Sequence, residues 1–357
     1  MKNILIAVAA TSAALTSPAY AQSSVTLFGI IDATLAVGKG SLADRTQLAN
    51  SGWNSSRLGF RGSEDLGGGM SASFWLEAGF SPDSGVGAAT NTNNQASGAA
   101  PAGAAGGQGL TFNRRSTVSL AGNWGEVRLG RDYTPQYWIL SDFDPFNNNG
   151  VGTSQTLNSI ITGVTSVRAS NSIGYSLPAT LGGIYGQAMY YLGENPSNAG
   201  ATKDDGRGYG MRLGYASGPL SVAISTGQTK YAAGNTRQTN IGAHWDFGVA
   251  KLMGQLSRDK AGATDGRGWV FGAIAPVGVG EFRIALSEYK TDAGAGTEPR
   301  TRKLALGYGH NLSKRTAVYT AYARVRNSGG ATAALNGATT AANASSSGFD
   351  IGIRHRF

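Results

Sequence analysis

Three histidines, His244, His310 and His355, are the general bases available near neutral pH, and none stands beside a Ser or Asp constellation that would use it. There is no cysteine, and no two histidines have ligand spacing, so no metal and no cofactor are expected. What remains is fixed charge. Between Gly125 and Arg168 the strand pattern Gly-Glu-Val-Arg-Leu-Gly-Arg-Asp-Tyr runs into a long segment carrying Tyr137, Trp138, Ile139, Leu140, Phe143 and Phe146. Asp142 and Asp144 lie among them, with Arg131 and Arg168 at the flanks. A loop dangling in water would not be this aromatic, and loops this long are uncommon in compact proteins and usually functional. The segment is expected to pack inside a β-barrel and narrow its lumen.

The elements that must hold it begin after a leader. Lys2, the apolar run from Ile4 to Leu15 and the small-x-small Ala19-Tyr20-Ala21 have the form of a cleaved secretory signal over residues 1–21, leaving 22–357 as one unit. The apolar run is too short for a membrane anchor, which needs roughly 20 residues. The 54 glycines in 357 residues disfavour a helical protein, since glycine is costly in helix interiors.

Strict alternation recurs along the chain. Leu58 and Phe60 oppose Arg57, Gly59 and Arg61; Phe282, Ile284 and Leu286 oppose Arg283, Ala285 and Ser287; Phe349, Ile351, Ile353 and Phe357 oppose Asp350, Gly352, Arg354 and Arg356. Period 2 with one apolar face means half-buried antiparallel strands. Short turns at Asp65–Gly69, Gly122–Gly125, Ala179–Gly183, Ser217–Pro219, Asp246–Gly248, Pro276–Gly280 and Asn311–Lys314 alternate with longer polar segments. Those lie near 39–55, 81–111, 134–170, 194–207, 232–236, 261–266, 292–300 and 328–346, and together the connections join sixteen strands. Short turns on one side and long loops on the other describe a transmembrane barrel.

The face opposite the apolar one is Arg, Lys, Ser, Thr, Gln and Gly, which fits a water-filled lumen and an outer face in lipid. Trp75, Tyr190, Tyr191, Tyr209, Tyr289 and Tyr308, near strand ends, are expected in the interfacial girdles. Segments 81–111 and 328–346, rich in small and polar residues, are expected outside the cell and without a fold of their own. A net charge of +9 suggests anionic solutes or an anionic membrane surface. Basic runs interleaved with stacking aromatics are missing, so nucleic acid is not an expected partner.

Several stretches carry a family resemblance: Ser-Val-Thr-Leu-Phe-Gly-Ile-Ile-Asp at 24–32, Ser-Arg-Leu-Gly-Phe-Arg-Gly-Ser-Glu-Asp-Leu-Gly at 56–67, Leu-Gly-Arg-Asp-Tyr at 129–133, Arg-Ala-Ser-Asn-Ser-Ile-Gly-Tyr at 168–175, and the final Phe357. In that order they resemble the general porins of Gram-negative outer membranes, trimeric sixteen-stranded channels for passive diffusion of small hydrophilic solutes and ions. The resemblance implies an all-β, sixteen-stranded antiparallel transmembrane barrel with its third loop folded into the lumen. It implies Arg57, Arg131 and Arg168 as a basic wall facing the loop acids Asp142 and Asp144, with weak anion preference. Strict alternation, however, points Arg128 inward and Arg131 outward, unless the chain kinks at Gly130. Which aspartate faces the pore is also open, because Asp-Pro-Phe-Asn-Asn at 144–148 departs from the Pro-Glu-Phe-Gly-Gly of enterobacterial members. Arg61, Arg114, Arg115, Arg128, Arg324 and Arg326 are further candidates for lumen or rim charges. Phe357 is the implied assembly signal for the barrel-insertion machinery. Outer-membrane lipid and lipopolysaccharide are implied surroundings, and a homotrimer the implied assembly. The alternatives are a substrate-specific channel and a surface adhesin or receptor barrel; an enzyme is not expected.

Overall fold

Alternating side chains make a sheet with two unlike faces, and closing such a sheet removes its edges. In the computed structural model, which describes residues 24–99, 109–156, 160, 165–294 and 296–357, the sheet does close. The expected leader over 1–21 lies outside the described residues.

The strands are β1 (Ser24–Lys39), β2 (Arg45–Asn50), β3 (Arg57–Gly67), β4 (Met70–Ser81), β5 (Val86–Gly87), β6 (Arg115–Gly122), β7 (Gly125–Tyr133), β8 (Arg168–Ser176) and β9 (Ile184–Tyr191). They continue as β10 (Gly208–Ser217), β11 (Leu220–Thr229), β12 (Thr236–Asp246), β13 (Lys251–Ala261), β14 (Thr264–Val277), β15 (Gly280–Asp292), β16 (Arg300–Asn311), β17 (Thr316–Ser328) and β18 (Ser346–Arg356). β5 is a short hairpin arm on β4. β2 and β3 share β1 as a neighbour, β2 pairing with Ala33–Gly38 and β3 with Ser24–Ile30, so they are two pieces of one barrel strand. The wall therefore has sixteen antiparallel strands, each paired to the next. The seam is β18 on β1, and Gly29 and Phe357 exchange both backbone hydrogen bonds at 3.1 Å.

The outer face is apolar and bare, with Ile224 and Phe282 each 52% exposed. That exposure would be a liability in water and is the expected lipid face of a barrel. Arg324 and Arg326 lie on this face, not in the lumen: they alternate with the buried Ala323, Val325 and Asn327 and stand in register with Leu304 and Arg302 near the long-loop end. Trp75, Tyr191 and Tyr289 depart from the expected girdles in the opposite sense. Their strand parity is inward, and Tyr191 and Tyr289 are buried against polar partners, whereas Tyr190 and Tyr209 are exposed outside.

Three loop expectations change. Residues 45–50, expected within the first long loop, are the strand β2; residues 51–56 form a knuckle turned into the lumen between β2 and β3. The knuckle's amides at Gly52, Trp53 and Asn54 donate to the Asp32 carboxylate at 3.1, 3.1 and 2.6 Å, and the Tyr319 hydroxyl donates to the same group. The described part of the second long loop is held by polar contacts instead of apolar ones. Asn94, fully buried, donates through Nδ2 to the carbonyls of Ser170 and Leu192, both at 2.9 Å. In the last long loop, Leu335 joins a buried cluster with Phe146, Val151 and Val325.

Candidate functional site

The aromatic segment after β7 enters the barrel, beginning with α1 (Pro135–Asp142). Proline suits the first helical turn, where its missing N–H is no loss. The helix was not legible as one, because its apolar residues occupy every side. Ile139 and Leu140 are buried against the barrel wall, while Tyr137 stacks on Tyr133 and Trp138 lies tilted against it, with ring centroids 5.3 and 4.9 Å away. Past the helix, Phe143 and Phe146 are each 1% exposed.

The loop can lie this close because the wall beneath it lacks side chains. Gly227, Gly242 and Gly307 are inward positions of β11, β12 and β16; a β-carbon there would overlap Gln136, Phe143 and Phe146 respectively. Polar ties complete the docking. Asn240 and Gln255 donate to the carbonyls of Gln136 and Leu140 at 3.0 and 3.2 Å, Lys303 donates to that of Thr153 at 2.7 Å, and Asp350 accepts from the Val151 amide at 2.7 Å.

The loop thus covers the wall from β10 to β18. Open space of about 350 Å³ is left against β3, β4, β6 and β7, bounded on the wall by Arg57, Trp75, Glu77, Arg114, Arg115 and Tyr133. On the loop side it is bounded by Tyr137, Trp138, Ser141, Asn147 and Asn149, none of them charged. Glu77 is the hub of the wall. Its carboxylate takes Arg114 Nε at 2.5 Å, Arg57 Nη1 at 3.5 Å and Trp75 Nε1 at 3.0 Å. Arg114 and Arg168 both donate to the Tyr133 hydroxyl at 2.7 Å, and Arg168 lies 4.3 Å over that ring. Arg115 sits 4.6 Å over Trp75 and 3.6 Å from Asp132, whose other oxygen binds Arg128 at 2.7 Å. Arg61 also lies over Trp75, at 5.1 Å.

The remaining expected residues lie elsewhere. The chain does kink at Gly130 (φ +123), where the β7–β8 register shifts. Arg131 nevertheless stays opposite Ser116, on the face away from Arg115 and Thr117. Its guanidinium is held by the carbonyls of Asn113 and Asn91, at 2.6 and 3.3 Å, and by the Ser170 hydroxyl at 2.8 Å. Asp144 faces no water. It is fully buried and accepts from the amides of Phe146 and Ser154 at 2.9 and 3.1 Å, so it folds the loop. Burial pushes its carboxyl above the usual range, against the pull of those amides. Asp142 reaches the lumen, 41% exposed, but across from the arginine cluster, paired at 2.6 Å with Arg212 of β10. Glu77 is not among the expected site residues; the signal that could have found it is its shared parity with Trp75, opposite Phe74 and Leu76.

A family model described as Gram-negative porin matches residues 7–330. Outer membrane porin protein 32 of Delftia acidovorans is 38% identical over 378 aligned residues, covering all of both chains. The chain belongs to the Gram-negative porin family. It is an outer-membrane porin, a transmembrane β-barrel for passive diffusion. Among solved structures, the anion-selective porin from Comamonas acidovorans matches with a TM-score of 0.81 at 36% identity, over 94% of this porin and 100% of that chain. A loop-deletion form of OmpT from Vibrio cholerae matches with a TM-score of 0.68 at 13% identity, covering 94% and 99%, a likeness of fold.

Proposed function

We propose that this porin passes small hydrophilic solutes and ions with a weak preference for anions, and that Arg57, Arg114, Arg115 and Arg168 impose it. The observation that carries this reading is the imbalance at the open space. Arginines converge on Glu77 and Tyr133, and the described loop residues that bound the space carry no carboxylate, Asp142 being paired outside it with Arg212. Fixed positive charge in a low-dielectric wall lowers the energy of a nearby anion by a few kT and so raises its local concentration, and salt weakens the effect. The anion-selective porin from Comamonas acidovorans is consistent with the same sign. The solute is held loosely, since passage requires that it leave.

Arg57→Ser combined with Arg168→Ser lowers the anion-to-cation permeability ratio, read from reversal potentials across planar bilayers in asymmetric KCl. An unchanged reversal potential refutes the assignment. The assembly follows the family pattern: a homotrimer in lipopolysaccharide-bearing membrane, with Phe357 as the signal to the insertion machinery. The outward Arg302, Arg324 and Arg326 at the long-loop end suit anionic headgroups. Deleting Phe357 reduces heat-modifiable trimer on gels.

A further inference from the structure

A second basic cluster lies beyond the constriction. A cavity of about 740 Å³ is lined by Trp53, Glu281, Arg283, Lys314, Arg354 and Arg356. Turn residues Val279, Leu312 and Ser313 border it, which puts it at the short-turn, periplasmic end of the lumen. Four cations there face one lining carboxylate, and the nearby Asp32 is occupied by the knuckle amides and Tyr319.

Two of the arginines have unused donors. Arg283, 8% exposed, lies 3.9 Å over the Trp53 ring and binds Glu281 Oε1 through Nε and Nη2 at 2.9 and 2.5 Å, leaving Nη1 without a partner among the described residues. Arg354, 6% exposed, donates through Nη1 to Asn54 at 3.1 Å and leaves Nε without a partner among the described residues. A buried N–H without an acceptor is costly. Guanidinium donors match the paired oxygens of a carboxylate or phosphate. Lys314 and Arg356, both exposed, add charge without tight binding.

We propose that this basin is a second anion station, taking multivalent oxyanions, with Arg283 and Arg354 as its donors. The inference deepens the anion-selective reading and rests on it. The knuckle divides the two stations: Asn54 lines the constriction and accepts from Arg354, while Trp53 lines the basin. An anion leaving Arg57 therefore meets the basin next, across a few residues and not across an empty vestibule.

The probe is inorganic phosphate added to the short-turn side of a planar bilayer in KCl. In the wild type the chloride current falls with rising phosphate and saturates. Arg283→Gln with Arg354→Gln raises the half-saturating phosphate about tenfold, the loss of about 1.4 kcal/mol of charged hydrogen bonding. Arg356→Gln with Lys314→Gln, on exposed side chains that fold independently of the buried pair, raises it about threefold through lost attraction. Arg326→Gln, on the outer face, is the control. A linear, unsaturated response, or equal half-saturation in all variants, overturns the second station. Failure of the anion-selective reading is seen separately, as a cation-signed reversal potential of the wild type in KCl alone.

Discussion

The wall from β10 to β18 and the wall from β3 to β8 follow one alternating pattern, yet the first is covered by a loop and the second bounds open water. The inward residues differ. Where the loop packs closest they are glycine and alanine, such as Gly242, Ala285, Ala305 and Ala323, and the longer Gln255 and Lys303 reach the loop backbone as anchors. Beside the water they are arginine, glutamate and tryptophan, held off the floor by mutual ion pairs and ring contacts. The position of the water path is thus decided by side-chain size on one wall and by charge on the other. Glycine abundance has a local reason here as well as a general one, since Gly242 and Gly307 admit the rings of Phe143 and Phe146 and Gly227 admits Gln136.

That contrast can be broken most strongly from the small-residue side. Gly242→Leu puts a side chain where Phe143 lies, an overpacking worth about 1–3 kcal/mol. The loop is expected to lift, widening the spread of single-channel conductance; a single unchanged conductance level counts against the glycine track. Asp32→Asn weakens the support of three amides in the knuckle, at about 1–3 kcal/mol. It is expected to lower the temperature at which the folded gel band is lost and to make the open current noisier. From the charged side, Glu77→Gln removes the hub between Arg57 and Arg114. It raises the anion-to-cation permeability ratio roughly twofold, a change that fades toward 1 M salt as the Debye length falls to about 3 Å. Asp142→Asn does least. Its pair with Arg212 is half in water, so folding changes by about 0–1 kcal/mol and the reversal potential shifts slightly toward anions.

Period 2 and the alternation of short turns with long loops made the barrel legible from the sequence, and the aromatic content of residues 137–146 made the inward loop legible. The charged site was legible only where parity was undisturbed. Arg57 and Arg115 keep strand alternation and line the open space. Arg131 follows a left-handed glycine and is captured by loop carbonyls 18 and 40 residues away, which no local pattern reports. Asp144 carries a charge that suggested the lumen, but its neighbours are backbone amides of its own loop. The knuckle hid inside a polar stretch, because its organising group, Asp32, belongs to another strand.

The anchors of the constriction loop are spread over most of the barrel. Asn240, Gln255, Lys303 and Asp350 lie 104, 115, 150 and 199 residues from the backbone groups they bind. None of those partners is in place until the later strands have zipped, and contacts of such sequence separation are paid for in loop-closure entropy before they reward the chain. The full set of loop anchors is therefore complete only in the closed barrel, and a defect in any of the later strands also loosens the narrowing that the second half of the chain holds in place.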